Sequence, residues 1–278
     1  MIRFLASLPL VAACFAAPAL ADELIRQAND QEALMLGLSY LSADLQSVDN
    51  AGAAVLNKVS GPQIGVGYAS TRMRTLFGLP NFYTRVEISL GLGQQDFTGD
   101  PTDPSTGVVG TSKGPFDFDS ESLRLRVGYS KEFGAGGRMA LTPFLGLAQE
   151  AWLRGATTFS DKTAYYHYAA EIGLLGQATL TTKLVLGLDA SLGRTLGALQ
   201  VDQGNLVALH RAITSSFALY LDNRTSADWH QRLILRQSYL RYGEPARSVG
   251  LFEPRRNSAL SVHLEFGTER DLFKLLFH

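Results

Sequence analysis

The sequence has little cysteine and little charge. Cys14 is the only cysteine in 278 residues, and Asp, Glu, Lys and Arg together make up 18% of the chain, against roughly a quarter in an ordinary soluble domain. Acidic and basic residues nearly balance at 26 and 25, which gives a net charge of -1. Because the chain has no excess of basic residues to hold a phosphate backbone, nucleic acid is excluded as a partner.

Long hydrophobic runs are also missing from the main part of the chain. After residue 21, no window approaches the roughly 18 consecutive apolar residues of a membrane-spanning helix. The apolar fraction is nevertheless 46%, far above that of a disordered chain. The chain therefore folds, and a crossing of a membrane would have to use strands that close into a sheet.

Residues 1–21 have the pattern of a cleaved secretory signal peptide. Arg3 supplies the positive start, an apolar run follows over residues 4–15, and Ala19-Leu20-Ala21 is a small-x-small cleavage site. The pattern predicts export, with residues 22–278 as the mature chain.

Two other interpretations of the N-terminus stay open. Val11-Ala12-Ala13-Cys14 resembles a lipoprotein box, in which Cys14 would be lipidated. An uncleaved membrane anchor is the second, although the apolar run is shorter than the ~20 residues that span a bilayer. If cleavage follows Ala21, the mature chain has no cysteine, so Cys14 is neither a disulfide partner nor a catalytic nucleophile.

Period-two alternation of apolar residues runs through the mature chain. In Thr84–Gly93 one face carries Val86, Ile88, Leu90 and Leu92, and the other carries Arg85, Glu87, Ser89 and two glycines. Alternate residues of a strand point to opposite sides, so such a segment has an apolar face and a polar or small face. The sequence contains about ten such segments of roughly 9–13 residues, close to the length of a tilted strand that crosses a bilayer.

The connections alternate between short and long. Short ones include Gly134–Gly137 and Thr181–Lys183, and the longest is the Gly-, Pro-, Asp- and Thr-rich segment 94–119. Barrels of the outer membrane have tight periplasmic turns and long outer loops. Aromatic residues near the strand ends fit the level of the lipid headgroups. They are Tyr40, Tyr68, Phe82, Tyr83, Tyr129, Trp152, Tyr165, Tyr166, Tyr220, Trp229, Tyr239 and Tyr242.

In these features the chain resembles the small outer-membrane β-barrels of Gram-negative bacteria. The resemblance covers residues 22–278 and rests on architecture. It implies an all-β fold, a transmembrane up-and-down antiparallel β-barrel of about 10 strands, with 8–12 open. The last strand ends near residue 267, leaving 268–278 as a periplasmic tail, or lies at 273–277. The implied partners are outer-membrane lipid and the general barrel-assembly machinery. A soluble periplasmic β-sandwich, which also alternates, is the architectural alternative.

Charged residues of both signs fall on the predicted inner faces, beside many glycines. We predict that they line the lumen, which would be narrow and partly plugged. They either form ion pairs that hold the barrel closed or make a charged constriction for small solutes. The predicted pore-lining residues are Arg85, Glu87, Arg124, Arg126, Glu171, Asp189 and Glu265.

Catalytic patterns are weak. A barrel lipid hydrolase needs a histidine base beside a serine nucleophile, and the candidates are His167 with Ser191 and His263 with Ser261. Asp228-Trp229-His230 is the nearest match to the groups of a barrel protease, but it lies beside a predicted periplasmic turn. We therefore predict no catalytic residues, with a barrel enzyme that acts on envelope lipid or protein as the alternative.

No pattern indicates a metal or a cofactor. The histidines lack zinc-ligand spacing, residues 96–103 lack the regular spacing of a calcium loop, and no phosphate or dinucleotide motif occurs. The overall prediction is an outer-membrane barrel with a structural or surface-interaction role, to which a narrow pore for small solutes is an open addition.

Overall fold

The computed structural model describes residues 23–48, 54–76, 78–99, 112–134, 137–155, 162–202, 205–242, 253–270 and 272. The predicted signal peptide and Cys14 lie outside these ranges. A six-residue helix, α1 (Glu23–Ala28), precedes the strands. The strands are β1 (Gln31–Val48), β2 (Ala54–Leu76), β3 (Leu79–Gly99), β4 (Ser112–Tyr129), β5 (Lys131–Phe133), β6 (Met139–Arg154), β7 (Thr163–Thr181), β8 (Leu184–Asp202), β9 (Asn205–Ala208), β10 (Ala212–Arg224), β11 (Trp229–Tyr242) and β12 (Glu253–Thr268). Among the described residues, no helix is long and apolar enough to cross a membrane.

Ten long strands close into one antiparallel barrel in the order β1-β2-β3-β4-β6-β7-β8-β10-β11-β12. The closing ladder joins β1 to β12, from the pair Glu32–Thr268 to the pair Gln46–Glu253. The short strands β5 and β9 are additions that pair with β6 and β8. The predicted ten-stranded up-and-down barrel is confirmed, and β12 is its closing strand.

The outer surface of the barrel is apolar. Leu36 of β1, Leu92 of β3 and Ile172 of β7 are 55%, 65% and 64% exposed, because period-two alternation points them away from the lumen. An apolar belt around a closed sheet is stable in lipid and unfavourable in water. The alternative of a soluble sandwich is wrong, since a sandwich would pack these apolar faces against each other.

The strands are longer than the apolar alternation predicts, and they are strongly tilted. β2 has 23 residues, against the roughly 9–11 that a tilted crossing needs. Following hydrogen-bonded partners once around the barrel from Arg241 leads to Trp229, twelve positions away on the same strand. A stagger of this size accompanies strongly tilted strands.

The two ends of the barrel differ in their connections. The short-turn end has the connections 77–78, 134–138, 182–183 and 225–228. The long-loop end has the connections 49–53, 100–111, 155–162, 203–211 and 243–252.

The segment 94–119 is in part strand, which corrects its prediction as a loop. Residues of 94–99 pair with residues of 112–117, so β3 and β4 continue beyond the apolar belt. The prediction failed because this extension has polar residues on its outer face, so the apolar alternation stops before the hydrogen-bonded ladder does.

Candidate functional site in the barrel interior

The predicted pore-lining residues all lie on the inner faces of their strands. Six of them are buried, and Asp189 is half-buried. Arg85 and Glu87 come from β3, Arg124 and Arg126 from β4, Glu171 from β7, Asp189 from β8 and Glu265 from β12. Period two places them there, because each alternates with apolar residues that face outwards. The structure gathers them into two groups of ion pairs.

Glu265 is the centre of the first group. Its Oε1 accepts a hydrogen bond from Arg85 Nη2 at 2.6 Å, and its Oε2 accepts one from Arg232 Nη1 at 3.2 Å. Arg85 Nη2 also donates to Glu87 Oε2 at 3.0 Å. One carboxylate that is 1% exposed therefore joins two guanidinium groups from different strands.

The same group continues through His230, a sequence candidate for another role, and through Asp222, Arg232 and Arg236, which the sequence analysis missed. Arg232 Nη2 lies 2.9 Å from Asp222 Oδ2, and Asp222 Oδ1 lies 2.6 Å from His230 Nδ1. On the other side, Arg236 Nη1 donates to Glu87 Oε1 at 2.6 Å. The sequence does carry a signal for Arg232 and Arg236, because both alternate with outward leucines in β11, but the alternation of this segment is weaker than that of β3 and β4.

Arginines of β4 hold the second group. Arg126 forms ion pairs with Asp189 of β8 and, at 4.0 Å, with Glu171 of β7. Arg124 Nη2 donates to Glu150 Oε1 of β6 at 2.6 Å. Of the two predicted roles for the charged residues, the geometry matches ion pairs that brace the barrel across its lumen.

Burial decides what these pairs contribute. Taking a charge out of water costs several kcal/mol, which an ion pair recovers only with good geometry and further hydrogen bonds. Arg232 has such bonds, because it donates to Asp222, Glu265 and the backbone oxygen of Ala28, and its guanidinium lies 4.7 Å from the centre of the Tyr220 ring. Arg124 Nε and Nη1, in contrast, have no hydrogen-bond partner among the described residues. We therefore expect the network to fix the relative positions of strands more than it adds net stability.

Aromatic and aliphatic side chains fill the lumen toward the long-loop end. Trp152 stacks on Tyr165 with ring centres 4.2 Å apart, and its ring lies 5.8 Å from those of Phe118 and His167. His167 Nε2 contacts the Tyr242 hydroxyl. We call this the apolar cluster, whose buried members are Leu41, Ala43, Leu45, Val59, Phe118, Trp152 and Tyr165.

This cluster corrects part of the aromatic prediction. Tyr40, Trp229 and Tyr239 do lie on the outer surface. Five of the predicted headgroup aromatics instead lie inside the barrel, because their position in the alternation, and not their nearness to a strand end, decides their direction. These inward residues are Tyr83, Trp152, Tyr165, Tyr220 and Tyr242.

Helix α1 packs into the short-turn end. Its Leu24, Ile25 and Ala28 are buried against Ala140 and Val185 of the barrel wall. Next to it, Asn29 Nδ2 donates to Gln177 Oε1 at 2.7 Å, and Gln31 Nε2 donates to Asp222 Oδ2 at 3.1 Å. The segment after the predicted cleavage site thus connects to the ion-pair network.

Inward glycines make room for large side chains of neighbouring strands. A Cβ on Gly187 would lie 1.9 Å from Cζ of Tyr220, and one on Gly173 would lie 2.2 Å from Cζ of Phe144. Two interior cavities lined by described residues are small, one of about 60 Å³ beside Arg124 and another of about 20 Å³ beside Arg85. The first holds no more than a few waters.

The two His–Ser candidates have different outcomes. His263 Nε2 lies 2.8 Å from Ser261 Oγ, so this pair forms a hydrogen bond. Ser261 is buried inside the lumen, which keeps a substrate from its hydroxyl. His167 contacts Tyr242 instead of Ser191. The pairs therefore lack the accessible nucleophile that acyl transfer needs.

The remaining sequence candidates are His230 and the acidic segment 96–103. His230 is buried and pairs with Asp222, at the short-turn end where its motif was expected to lie. The acidic segment 96–103 is described only as far as residue 99. Within the described ranges, His, Cys, Asp and Glu form no group of three or more that could hold a metal ion.

Sequence comparison finds no family model and no curated protein that matches this chain. Solved structures do match. The outer membrane protease OmpT from Escherichia coli aligns over 86% of this chain and 95% of its own length, at 11% identity and a TM-score of 0.52. The beta domain of the Bordetella autotransporter BrkA aligns over 85% and 99%, at 15% identity and a TM-score of 0.40.

This chain has the fold of an outer-membrane β-barrel. At 11% identity the likeness to OmpT shows the fold alone, since one fold carries many functions.

Proposed function

We propose that the chain is a non-conducting barrel of the Gram-negative outer membrane, with a structural or surface-interaction role. The location is supported by the fold and by the apolar belt, which needs surrounding lipid. Export through a cleaved signal peptide at 1–21 and insertion by the general barrel-assembly machinery belong to the same proposal.

One observation carries the non-conducting part, namely that ion pairs cross the lumen. Arg236 of β11 reaches Glu87 of β3 at 2.6 Å, and Arg126 of β4 reaches Asp189 of β8. A solute on its way through would have to separate these buried charges and then displace the apolar cluster, Trp152 included. Separating buried ion pairs costs several kcal/mol each, so we expect the predicted pore-lining residues to act as braces.

The extended outer hairpin supports a surface role. β3 and β4 continue past the apolar belt, where Asp96, Asp117 and Asp119 point outwards and are exposed. A polar ladder of this kind needs no lipid and presents a fixed surface at the long-loop end.

Single-channel recording tests the proposal. The purified chain is refolded in detergent, checked for the folded band that migrates differently after heating, and inserted into a planar bilayer. We expect no discrete current steps from wild type. The matched variant R236Q/E87Q, which removes one brace, should conduct no more than rare, brief events, because the apolar cluster remains. Steady steps from folded wild type would overturn the proposal.

A hydrolase is the second candidate, favoured by the hydrogen bond between His263 and Ser261. The test is turnover of labelled envelope lipids and of a peptide library by the folded barrel, compared with His263→Ala and Ser261→Ala. We expect no turnover that either substitution abolishes. Turnover that is lost in both variants would assign the pair a catalytic role.

A further inference from the structure

Most outward-facing charges at the long-loop end are segregated around the barrel, with Lys58 of β2 as an exposed cation outside the segregated sets. Exposed arginines lie on the outer face of β8, β11 and β12, with another just before β10, and we call this set the basic arc. Exposed carboxylates lie on the outer face of β3 and β4, and we call them the acidic arc. The basic arc is Arg194, Arg211, Arg241 and Arg256, and the acidic arc is Asp96, Asp117, Asp119 and Glu121.

The two arcs lie at the same height. The row of paired residues from Arg241 reaches Leu125 of β4 after five strands. Over five of ten strands the stagger amounts to about six residues, which puts Asp119 level with Arg241. From Arg194 the row reaches Leu125 after three strands, where the stagger amounts to about four residues, which puts Glu121 level with Arg194. Because β4 and β11 are half the circumference apart, the arcs face opposite sides.

The basic arc borders the apolar belt directly. Ile213 of β10, which is 59% exposed, is the cross-strand partner of both Arg194 and Arg241. Leu192 and Leu260 continue the apolar surface below it. The guanidinium groups therefore lie where the hydrocarbon of a bilayer ends and the headgroups begin.

The arginines of the basic arc outnumber the acidic side chains that pair with them among the described residues. Arg241 and Arg256 are direct cross-strand neighbours, an arrangement of like charges that destabilises a sheet unless an anion lies between them. Arg256 has an ion pair with Asp44 at 2.6 Å, and that pair is largely exposed. Within the described ranges, Arg194 and Arg241 have no ion pair with an acidic side chain.

We infer that the basic arc binds the phosphate groups of anionic lipids in the leaflet at the long-loop end. Lipid phosphates lie in a plane of one height, and the arc presents planar guanidinium groups along such a plane. The acidic arc repels phosphate at the same height. The lipid shell of this barrel is therefore asymmetric, with anionic headgroups concentrated beside β8–β12.

Two matched positions allow the asymmetry to be measured. Ile213→Cys lies in the basic arc and Leu92→Cys lies beside the acidic arc, each about one residue below the level of Arg241, and the replaced side chains are 59% and 65% exposed. Each is made in the full chain with Cys14→Ser, expressed in cells, purified and labelled with the same fluorophore. The barrels are reconstituted in phosphatidylcholine vesicles with a few per cent of phosphatidylglycerol or phosphatidylcholine that carries a nitroxide quencher near the headgroup.

We expect phosphatidylglycerol to quench position 213 about threefold more strongly than phosphatidylcholine, and position 92 no more strongly. The variant R194Q/R241Q/R256Q should abolish the preference at 213. The acidic-arc variant D117N/D119N/E121Q should leave it unchanged. Raising the salt concentration should weaken it.

A control of equal charge separates the arc from net charge. R138Q/K183Q/R224Q removes three basic groups at the short-turn end and should keep the preference at 213. Equal preference at both labelled positions, or loss of the preference in this control, would overturn the inference. Folding of every variant is checked by its heat-modifiable gel band. If R194Q/R241Q/R256Q does not fold, R194K/R241K/R256K replaces it and should retain the preference only in part, and an unchanged preference in a folded glutamine variant would also overturn the inference.

Discussion

The two halves of the lumen differ in their buried side chains. Toward the short-turn end, Arg85, Arg232 and Glu265 form buried ion pairs between strands, next to a second group of buried apolar side chains. Toward the long-loop end, Trp152 and Tyr165 stack among aliphatic side chains. Both halves are closed, but by interactions whose free energies depend on different conditions.

The difference shows how a barrel this narrow can be both stable and specific. Apolar packing contributes about 25 cal/mol for each Å² of apolar surface removed from water, and this contribution does not depend on the relative orientation of the side chains. Buried ion pairs contribute little net stability, yet they tolerate only one arrangement of strands. Apolar packing, which is present in both halves, therefore accounts for stability, and the ion pairs of the charged half fix which strands lie opposite each other.

Removal of one carboxylate from the charged half should have the largest effect. Glu265→Ala removes the carboxylate that Arg85 and Arg232 share and leaves a buried positive charge without compensation. We therefore expect the free energy of unfolding to fall by about 4 kcal/mol. Urea titration in phospholipid vesicles, read from the folded gel band, measures it. Glu121→Ala, an exposed carboxylate on the outer face, is the control and should change stability by about 0.5 kcal/mol or less. Equal losses would show that the lumen is hydrated.

Truncation in the apolar half should cost somewhat less. Trp152→Ala removes a side chain that is 6% exposed and leaves a cavity between Phe118 and Tyr165, so we expect a loss of about 3 kcal/mol. Trp152→Phe should recover most of it. The same titration serves, and a loss below about 1 kcal/mol would mean that the cluster does not pack as described.

A methyl group added at an inward glycine beside Tyr220 should lower the free energy of unfolding by a smaller amount. Gly187→Ala places its Cβ against the Tyr220 ring, which stacks beneath Arg232, so we expect a loss of about 2 kcal/mol. Gly197→Ala has no atom within 4 Å of its Cβ and should be neutral. If both variants are neutral, the Tyr220 ring can move away from the added methyl group. The charged half would then not be held in a single arrangement by its ion pairs.

Much of this architecture could be predicted from local pattern. The outward leucines of β1 and β12 identify strands because every second residue of a barrel strand faces lipid and has to be apolar. The same period predicts that Arg85 and Glu265 face inwards. The apolar alternation stops at residue 93, but β3 does not end there. Its backbone hydrogen bonds to β4 continue outside the membrane, where outward residues need not be apolar.

Pairing across the lumen could not be predicted. Whether Arg236 meets Glu87 depends on the stagger of the barrel, which sums small offsets over many strands and leaves no trace in any one segment. Nearness to a strand end predicts the headgroup level for Trp152, whereas its place in the alternation points it inwards, as the structure has it. Parity is the stronger physical constraint, since a side chain cannot change face without shifting the register.

A buried carboxylate at the short-turn end allows the pH dependence of a group without an arginine partner to be compared with that of the ion pairs. Glu132 of β5 lies in the short-turn connection, where its Oε1 accepts a hydrogen bond from Asn81 Nδ2 at 2.5 Å and its Oε2 has no partner among the described residues. Burial without a cationic partner raises the pKa of Glu132 to about 7. The luminal carboxylates differ in that each has an arginine or histidine.

The sign of the pH effect follows from proton uptake. The folded chain keeps the Glu132 proton to a higher pH than the unfolded chain, so stability from this group is complete below the ordinary carboxyl pKa and is lost as pH rises through about 7. Unfolding free energies of wild type should therefore fall between pH 5 and pH 8 relative to Glu132→Gln, by less than in any prediction above. A difference that rises with pH would mean that Glu132 has found a cationic partner, and the contrast between paired and unpaired carboxylates would fail.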